Sequence, residues 1–220
     1  MSASGAIPPD TLVVDHPLVA DRLTRLRDQS TDNATFGRLT AELSALLAYE
    51  GLRDLGVVEG RISTPVVADV PSPRVAESPL LVPVLRAGLG MVPAVGALLP
   101  RADVSHLGLR RNEETLEPTL YLDAVPRDLA GRRVVVCDPM LATGGTLVAV
   151  CDLLVSRAAG PIVVLCLIAS VPGLERLRAA HPSGVRVVCA ALDRDLDGRG
   201  YILPGLGDAG DRLFGPPPAV

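Results

Sequence analysis

The chain has 220 residues, of which 48% are hydrophobic and 21% charged, and its formal net charge is −4. This length and composition suit one compact α/β domain with a sizeable core. The acidic balance disfavours a nucleic-acid surface and no apolar run has the length of a bilayer span, so we expect a cytoplasmic protein with neither nucleic acid nor membrane as a partner.

All 21 basic residues are arginine. The absence of lysine excludes Schiff-base chemistry and the Gly-Lys-Ser/Thr phosphate loop, so arginines and backbone amides must bind any phosphate. The cysteines lie in apolar segments without Cys-x-x-Cys spacing, which indicates buried reduced thiols: Cys137, Cys151, Cys166 and Cys189. The three histidines are scattered, and we assign none of them a role.

In chain order, residues 1–10 are predicted to be a disordered extension and residues 11–220 a single domain. The first predicted elements are two helices, a strand and a proline-rich surface loop, over residues 16–27, 35–55, 64–67 and 68–79. The second helix carries leucines on one face, as expected for a helix that packs against a core.

Apolar strands then alternate with helices. The predicted strands cover residues 80–85, 104–109, 133–138, 162–169 and 185–191, and the predicted helices cover 91–99, 145–159 and 173–180. This alternation predicts an α/β fold, a mostly parallel twisted sheet flanked by helices. Ligands of such sheets lie at the carboxyl ends of the strands.

The most informative segment is Asp138-Pro139-Met140-Leu141-Ala142-Thr143-Gly144-Gly145-Thr146. It places an acid after a buried strand, then a turn of small residues, then the start of a helix. Unpaired amides and the helix dipole favour a phosphate at such a turn, and glycine is expected where a Cβ would block its approach. An ordinary strand-to-helix turn is the alternative.

Asp138 follows the strand directly and lies one loop away from this turn. A carboxylate in that place suits the 2- and 3-hydroxyls of a ribose whose 5-phosphate occupies the turn. The sequence therefore favours a ribose 5-phosphate compound as the ligand.

Three further segments carry residues suited to substrate binding. Arg86 leaves a buried strand with glycines behind it, as an arginine that grips a diphosphate would. Arg111 lies in the polar turn 110–118 between two strand-like runs, which by itself also fits a solvated hairpin tip. Residues 200–211 form a nearly uncharged glycine-rich loop, for which a flexible linker is the alternative.

Together these segments resemble those of uracil phosphoribosyltransferases, a family of the type I phosphoribosyltransferase superfamily. They follow the family's order over about residues 12–215, including His16-Pro17-Leu18-Val19. Most of the superfamily has two adjacent acids where this chain has Asp138 and Pro139, and Asp-Pro-Met-Leu-Ala-Thr-Gly-Gly looks like the uracil variant. The resemblance implies an N-terminal helical segment, a β-arm and a C-terminal base-binding loop.

The resemblance also implies an enzyme that transfers the 5-phosphoribosyl group from phosphoribosyl diphosphate to N1 of uracil. The products are UMP and diphosphate, as in pyrimidine salvage. It assigns catalytic roles to Arg86, Arg111 and Asp138. Phosphoribosyl diphosphate would contact these three residues together with Pro139, Met140, Leu141, Ala142, Thr143, Gly144, Gly145, Thr146 and Asp208. Uracil would contact Ile202, Gly207, Asp208 and Ala209.

The same resemblance implies Mg2+ as cofactor, carried by the diphosphate without a direct protein ligand. It implies a homo-oligomer, a dimer or a tetramer, and GTP as an effector. Two alternatives stay open: a regulator that uses the fold to bind RNA or a nucleotide, and an enzyme acting on another base. Neither the effect of Arg110 on the arm nor the role of the terminal Gly215-Pro216-Pro217-Pro218 follows from the sequence.

Overall fold

A computed structural model of the chain describes residues 10–111 and 118–216, with the side chain of Arg111 outside the description. Residues 1–9 of the predicted disordered extension, the arm tip 112–117 and the end of the terminal proline run lie outside the described residues. Asp10, the last residue of that extension, is held in place. Its carbonyl accepts hydrogen bonds from the Val187 amide at 2.9 Å and from the Arg178 guanidinium.

The elements alternate as predicted through the central part of the chain. The strands are β1 (Thr11–Val13), β2 (Val57–Ile62), β3 (Val70–Val75), β4 (Leu80–Leu85), β5 (Asp103–Val104), β6 (Leu107–Arg111), β7 (Pro118–Asp123), β8 (Val134–Cys137), β9 (Met140–Leu141), β10 (Ile162–Ser170), β11 (Val185–Asp193), β12 (Asp195–Leu196) and β13 (Ile202–Leu203). The α-helices are α1 (Pro17–Arg27), α2 (Asn33–Gly51), α3 (Val92–Leu98), α4 (Gly145–Ser156), α5 (Val171–Ala180) and α6 (Ala209–Phe214), and Ala87–Gly90 forms a 3-10 turn.

The main sheet has the strand order β1-β11-β10-β8-β4-β6-β7. Its pairs are parallel except for the antiparallel pair of β6 and β7, which forms the base of the arm. Strands β8 and β10 are buried throughout, which explains their continuous apolar sequences. The predicted α/β class with a mostly parallel sheet is confirmed.

Two hydrophobic clusters fill the space on the two sides of this sheet. On one side α2 buries a stripe formed by Phe36, Leu39, Leu43 and Leu47. On the other side α4 and α5 bury Leu147, Val150, Leu154, Leu174 and Leu177. The cysteines are free and buried, as expected for the thiols of an apolar core.

The prediction was wrong between α2 and β4. Residues 64–67 are not a strand but the turn of a hairpin formed by β2 and β3, and Val66 is 90% exposed there. The predicted loop 68–79 contains β3. Its Pro71 and Pro73 are untypical of a strand, so the residue pattern indicated a loop. The predicted helix 35–55 ends at Gly51, and the predicted strand 104–109 is divided into β5 and β6.

Candidate active site

A cavity of about 290 Å³ opens at the carboxyl ends of β4 and β8, where the topology predicts a ligand. Nine of the predicted site residues line it, namely Arg86, Asp138, Met140, Leu141, Ala142, Thr143, Gly144, Thr146 and Asp208. Pro139, Gly145, Ile202, Gly207 and Ala209 do not line the cavity wall. The structure also places in the wall residues that the sequence analysis did not select: Val84, Leu85, Ala87, Leu109, Leu147 and Gly210.

The turn that leads into α4 has the expected form of an anion cradle. Gly144 has a φ of +81° and precedes the first helical residue, and its carbonyl accepts the first helical hydrogen bond, from the Val148 amide at 2.9 Å. The amides between these two residues therefore lack helical partners. They lie where a phosphate bound at this edge of the sheet would meet them.

Glycine is required at this turn for a reason that the sequence analysis did not give. A Cβ on Gly144 would lie 2.6 Å from the carbonyl oxygen of Gly173, at the start of α5. A Cβ on Gly173 would in turn lie 2.1 Å from the carbonyl oxygen of Ala142. At Gly145 a Cβ would meet only the end of the Arg176 side chain, at 3.3 Å. Packing of the turn against α5, rather than approach of a ligand, requires the glycine at position 144.

Ser170 fixes the turn that leads into α4 by hydrogen bonds, and no sequence pattern indicated this role. Its hydroxyl donates to the Ala142 carbonyl at 2.6 Å and accepts from the Gly173 amide at 2.9 Å. The residue is the N-cap of α5 and is fully buried. One side chain thus fixes the turn and begins the helix that supports it.

Asp138 lies at the floor of the cavity, half-buried, directly after β8. The Met140 amide is 3.5 Å from its Oδ1, and among the described side chains no arginine forms an ion pair with it. Burial without a compensating positive charge raises the pKa of Asp138 to about 7. The carboxyl group is therefore desolvated and has acceptor capacity for hydroxyl donors.

Arg86 approaches the cavity from the end of β4, after a cis peptide bond between Leu85 and Arg86. Its Nη2 donates to Asp211 Oδ1 at 2.9 Å. The following turn is pressed against β8, because a Cβ on Gly88 would lie 2.2 Å from the Cys137 carbonyl oxygen. The turn after Arg86 is thus closely packed, and the side chain of Arg86 both lines the cavity and bonds the C-terminal segment.

The glycine-rich C-terminal segment is packed and is not a flexible linker. It contains β13, which pairs antiparallel with β12, and the first turn of α6, whereas we predicted a continuous loop. Ile202, Leu206 and Ala209 are buried. Asp208 caps α6 by accepting from the Asp211 amide at 2.9 Å.

The arm is antiparallel, and Arg111 at the end of β6 pairs with Pro118 at the start of β7. Leu109 of β6 forms part of the cavity wall, so the base of the arm borders the site. The placement of the Arg111 side chain lies outside the described residues, and its role stays a prediction.

Among the residues that the structure describes, no group of three or more His, Cys, Asp or Glu side chains is placed to hold a metal ion. Among the described residues of the cavity wall, the acids are Asp138 and Asp208. Within the same described part of the chain, no helix has the length and apolar character needed to span a membrane.

Comparison with known proteins places the chain in a family. The family model described as uracil phosphoribosyltransferase matches residues 13–216. A uracil phosphoribosyltransferase of Kineococcus radiotolerans is 53% identical over 205 residues, which are 92% of this chain and 97% of the relative.

Solved structures agree with this placement. A protein of Aquifex aeolicus has a TM-score of 0.87 at 35% identity, covering 95% of this chain and all of the other. Adenine phosphoribosyl transferase of Trypanosoma brucei shares the fold, with a TM-score of 0.56 at 13% identity over 87% of each chain. The resemblance drawn from the ordered motifs is confirmed, and the chain belongs to the uracil phosphoribosyltransferase family.

Proposed function

We propose that the protein transfers the 5-phosphoribosyl group of phosphoribosyl diphosphate to N1 of uracil, forming UMP and diphosphate in pyrimidine salvage. The observation that carries this proposal is the family match over residues 13–216, which spans every segment that forms the cavity. The reaction takes place at the carboxyl edge of the sheet, where the phosphate turn, Asp138 and Arg86 meet.

The turn and Asp138 hold the phosphoribosyl group. The amides after Thr143 bind the 5-phosphate together with the positive end of the α4 dipole. The Asp138 carboxylate accepts hydrogen bonds from the ribose 2- and 3-hydroxyls. These hydrogen bonds add donors to the desolvated carboxyl group, which in the free protein accepts, among the described residues, only the long hydrogen bond from the Met140 amide.

Arg86 and Arg111 stabilise the departing diphosphate. Cleavage of the C1–O bond leaves positive charge on the ribose ring and negative charge on the leaving group. Arginines placed at the diphosphate act where this negative charge develops, which is an electrostatic form of catalysis. The family resemblance assigns Asp208 to the phosphoribosyl diphosphate, and its position in the cavity wall with Gly210 supports this assignment.

The main chain of the C-terminal segment reads uracil, at Ile202, Gly207 and Ala209. Peptide carbonyls and amides match the alternating acceptors and donors of a pyrimidine edge. Gly207 has a φ of +80°, so its peptide groups have an orientation that other residues rarely adopt. Holding both substrates in one orientation supplies much of the rate acceleration.

Phosphoribosyltransferases generally use Mg2+ with phosphoribosyl diphosphate. For this chain we propose that Mg2+ would be held by the diphosphate and by water, since the described residues offer no cluster of ligands. The cavity fits a cation of this kind, because among the described residues its wall carries two acids, Asp138 and Asp208, and one arginine, Arg86. When bound, the ion neutralises charge on the leaving group.

We further propose that the protein is a single domain over residues 11–220, acts in the cytoplasm and forms a homo-oligomer. Exposed apolar side chains support the last point. Tyr49 and Leu98 line one groove with Val75 of the β2–β3 hairpin, and Val57, Val58 and Val66 are exposed on the same hairpin. Surfaces of this kind are typical of subunit contacts. GTP as an effector stays a prediction.

A substrate panel tests the proposed function. The purified enzyme is incubated with phosphoribosyl diphosphate, Mg2+ and either uracil, cytosine, hypoxanthine or orotate, and nucleotide formation is followed spectrophotometrically. We expect UMP from uracil and little product from the other bases, and Asp138→Asn is the control for activity from a contaminant. Preference for another base, or no transfer at all, would reject the proposal.

A further inference from the structure

The segment that carries the predicted uracil-binding residues is held by an ion pair outside the cavity. Arg27 is the last residue of α1, and Asp193 is the last residue of β11. Arg27 Nη1 lies 2.7 Å from Asp193 Oδ2, and Nη2 lies 2.7 Å from Asp193 Oδ1. This bidentate geometry fixes the guanidinium relative to the carboxylate.

Both peptide groups of Gly205 are bound by this same pair. Arg27 Nη1 donates to the Gly205 carbonyl at 2.7 Å, and the Gly205 amide donates to Asp193 Oδ2 at 3.2 Å. The Asp193 side chain is 8% exposed and that of Arg27 20% exposed. Water therefore competes little with these hydrogen bonds, and the charges act on the Gly205 backbone in a medium of low dielectric constant.

Gly205 lies at the centre of the predicted uracil-binding segment, between Ile202 and Gly207. Its φ is +65°, and a Cβ at this position would lie 2.0 Å from the Ile202 carbonyl oxygen. The chain folds back tightly here, so a shift of the Gly205 peptide moves the backbone of both neighbours. The ion pair thus determines where the main-chain groups that face uracil are placed.

A second arginine ties the same segment to the same helix end. Arg212 donates to the carbonyls of Leu26 at 2.7 Å and Leu206 at 3.0 Å, and its guanidinium lies 4.3 Å from the centre of the Phe36 ring. Because this anchor is independent of Arg27 and Asp193, loss of the ion pair should displace the segment without releasing it.

We propose that Arg27 and Asp193 are positioning residues for uracil, and this inference rests on the proposed function. They set the orientation of the Gly205 turn and so the affinity for the base. The phosphate turn is held by different contacts, between Ser170 and Ala142, so binding of phosphoribosyl diphosphate should not depend on the pair.

The test uses Arg27→Gln, Asp193→Asn and the double variant in the full-length enzyme. We expect the KM for uracil to rise about tenfold or more in each, because a misplacement of about 1 Å has effects of this size. The Kd for phosphoribosyl diphosphate should stay within about twofold of wild type, and the double variant should be no worse than the poorer single variant. Arg27→Lys keeps the charge without the planar fork and should recover part of the loss.

Two variants serve as matched controls. Arg25→Gln removes an exposed arginine from the same last turn of α1. Arg133→Gln breaks a buried arginine's pairs with Asp54 and Glu77, at the opposite end of the sheet from the cavity. Arg133→Gln should lower Tm without a selective change in the KM for uracil.

Two outcomes would overturn the inference while leaving the proposed function intact. One is an unchanged KM for uracil in a folded Arg27→Gln or Asp193→Asn enzyme. The other is a rise in the KM for uracil that is matched by an equal rise in the Kd for phosphoribosyl diphosphate, with the same two changes in Arg133→Gln at a similar loss of Tm. A wild-type enzyme that makes no UMP from uracil would overturn both proposals.

Discussion

Arg86 and Asp211 are 125 positions apart in the chain, and their side chains form an ion pair of 2.9 Å beside the cavity that Arg86 lines. The arginine belongs to the strand end proposed to bind diphosphate, and the acid belongs to α6, whose first residue, Ala209, is one of the proposed uracil-binding residues. The pair therefore joins the two substrate regions. Because the side chains are 45% and 42% exposed, its contribution to folding stability is small.

Asp211→Asn should strengthen inhibition by the product diphosphate. The substitution removes a negative charge beside Arg86 and frees the guanidinium for the leaving group, so we expect the inhibition constant to fall by about two- to tenfold. The free energy of unfolding should change by less than about 1 kcal/mol. Inhibition kinetics check this, with Asp21→Asn on the exposed face of α1 as control. Weaker inhibition would show that Asp211 helps to orient Arg86 for the diphosphate.

Asp138→Asn should abolish most of the activity while stabilising the free protein at neutral pH. The folded pKa of about 7 lies above the unfolded value of 3.8, so the contribution of Asp138 to stability is complete below about pH 4 and is lost as the pH rises to about 7. The difference corresponds to at most ~4 kcal/mol. The kcat should fall by at least about a hundredfold.

Denaturant unfolding of wild type and Asp138→Asn from pH 4 to 8 measures this effect. The difference in the free energy of unfolding between the two proteins reports on Asp138 alone. Other carboxyl groups, which cancel in this difference, stabilise the fold in their charged form, such as Asp123, whose pKa is lowered by its hydrogen bond with Arg157. Parallel stability curves for the two proteins would refute the proposed environment of Asp138.

Binding of phosphoribosyl diphosphate near pH 7 should release protons. Hydrogen bonds from the ribose hydroxyls favour the charged carboxylate and lower the pKa of Asp138 from about 7, so about half a proton leaves per site at pH 7. Calorimetry in two buffers of different ionisation enthalpy counts these protons. Asp138→Asn corrects for protons lost by the ligand itself, and an equal count in both proteins would contradict the ribose contact.

Gly144→Ala and Gly145→Ala should differ in their effect on folding. Alanine at 144 combines a φ of +81° with a contact of 2.6 Å to the Gly173 carbonyl oxygen, and should cost about 2 kcal/mol or more. Alanine at 145 meets only the movable end of Arg176, so its cost should stay below about 1 kcal/mol. Thermal unfolding and binding of phosphoribosyl diphosphate compare the two variants. Equal destabilisation would show that α5 does not constrain the turn.

Arg111→Ala should mainly reduce kcat. The family resemblance assigns this arginine to closure of the arm over the diphosphate, and loss of one charge at the leaving group typically costs about a hundredfold or more in rate. Steady-state kinetics with Arg110→Ala as the neighbouring control test the assignment. Unchanged turnover would mean that the arm has no part in catalysis.

The local sequence was sufficient to predict most of the sheet and the edge of the sheet at which the candidate site residues lie. A strand buried on both faces needs a continuous apolar run, which is why strands were predicted over residues 133–138 and 162–169, close to the observed Val134–Cys137 and Ile162–Ser170. The acid and the glycine turn that follow such a run lie at the carboxyl edge wherever the sheet is parallel. Chain order alone therefore predicted that Asp138 and the turn share one cavity.

Other elements were not predicted, because the segments with which they pair or pack are distant in the chain. Strand β1 has three residues and is defined by its register with β11, and the β2–β3 hairpin is exposed and interrupted by prolines. The segment 200–211 was predicted to be one loop. It contains β13 and the start of α6, because Ile202 and Ala209 are buried in the core. Short elements depend on tertiary burial more than on their own residues.

The sequence by itself determined which chemistry this chain carries, since arginines, one strand-end acid and unpaired amides are set by residue type and local order. Only the tertiary structure decided what holds those groups in place. Arg27 meets Asp193 across 166 positions, and the Ser170 hydroxyl meets Ala142 across 28. No local pattern encodes such pairs, because their energy arises from burial that exists only after the helices have closed over the sheet.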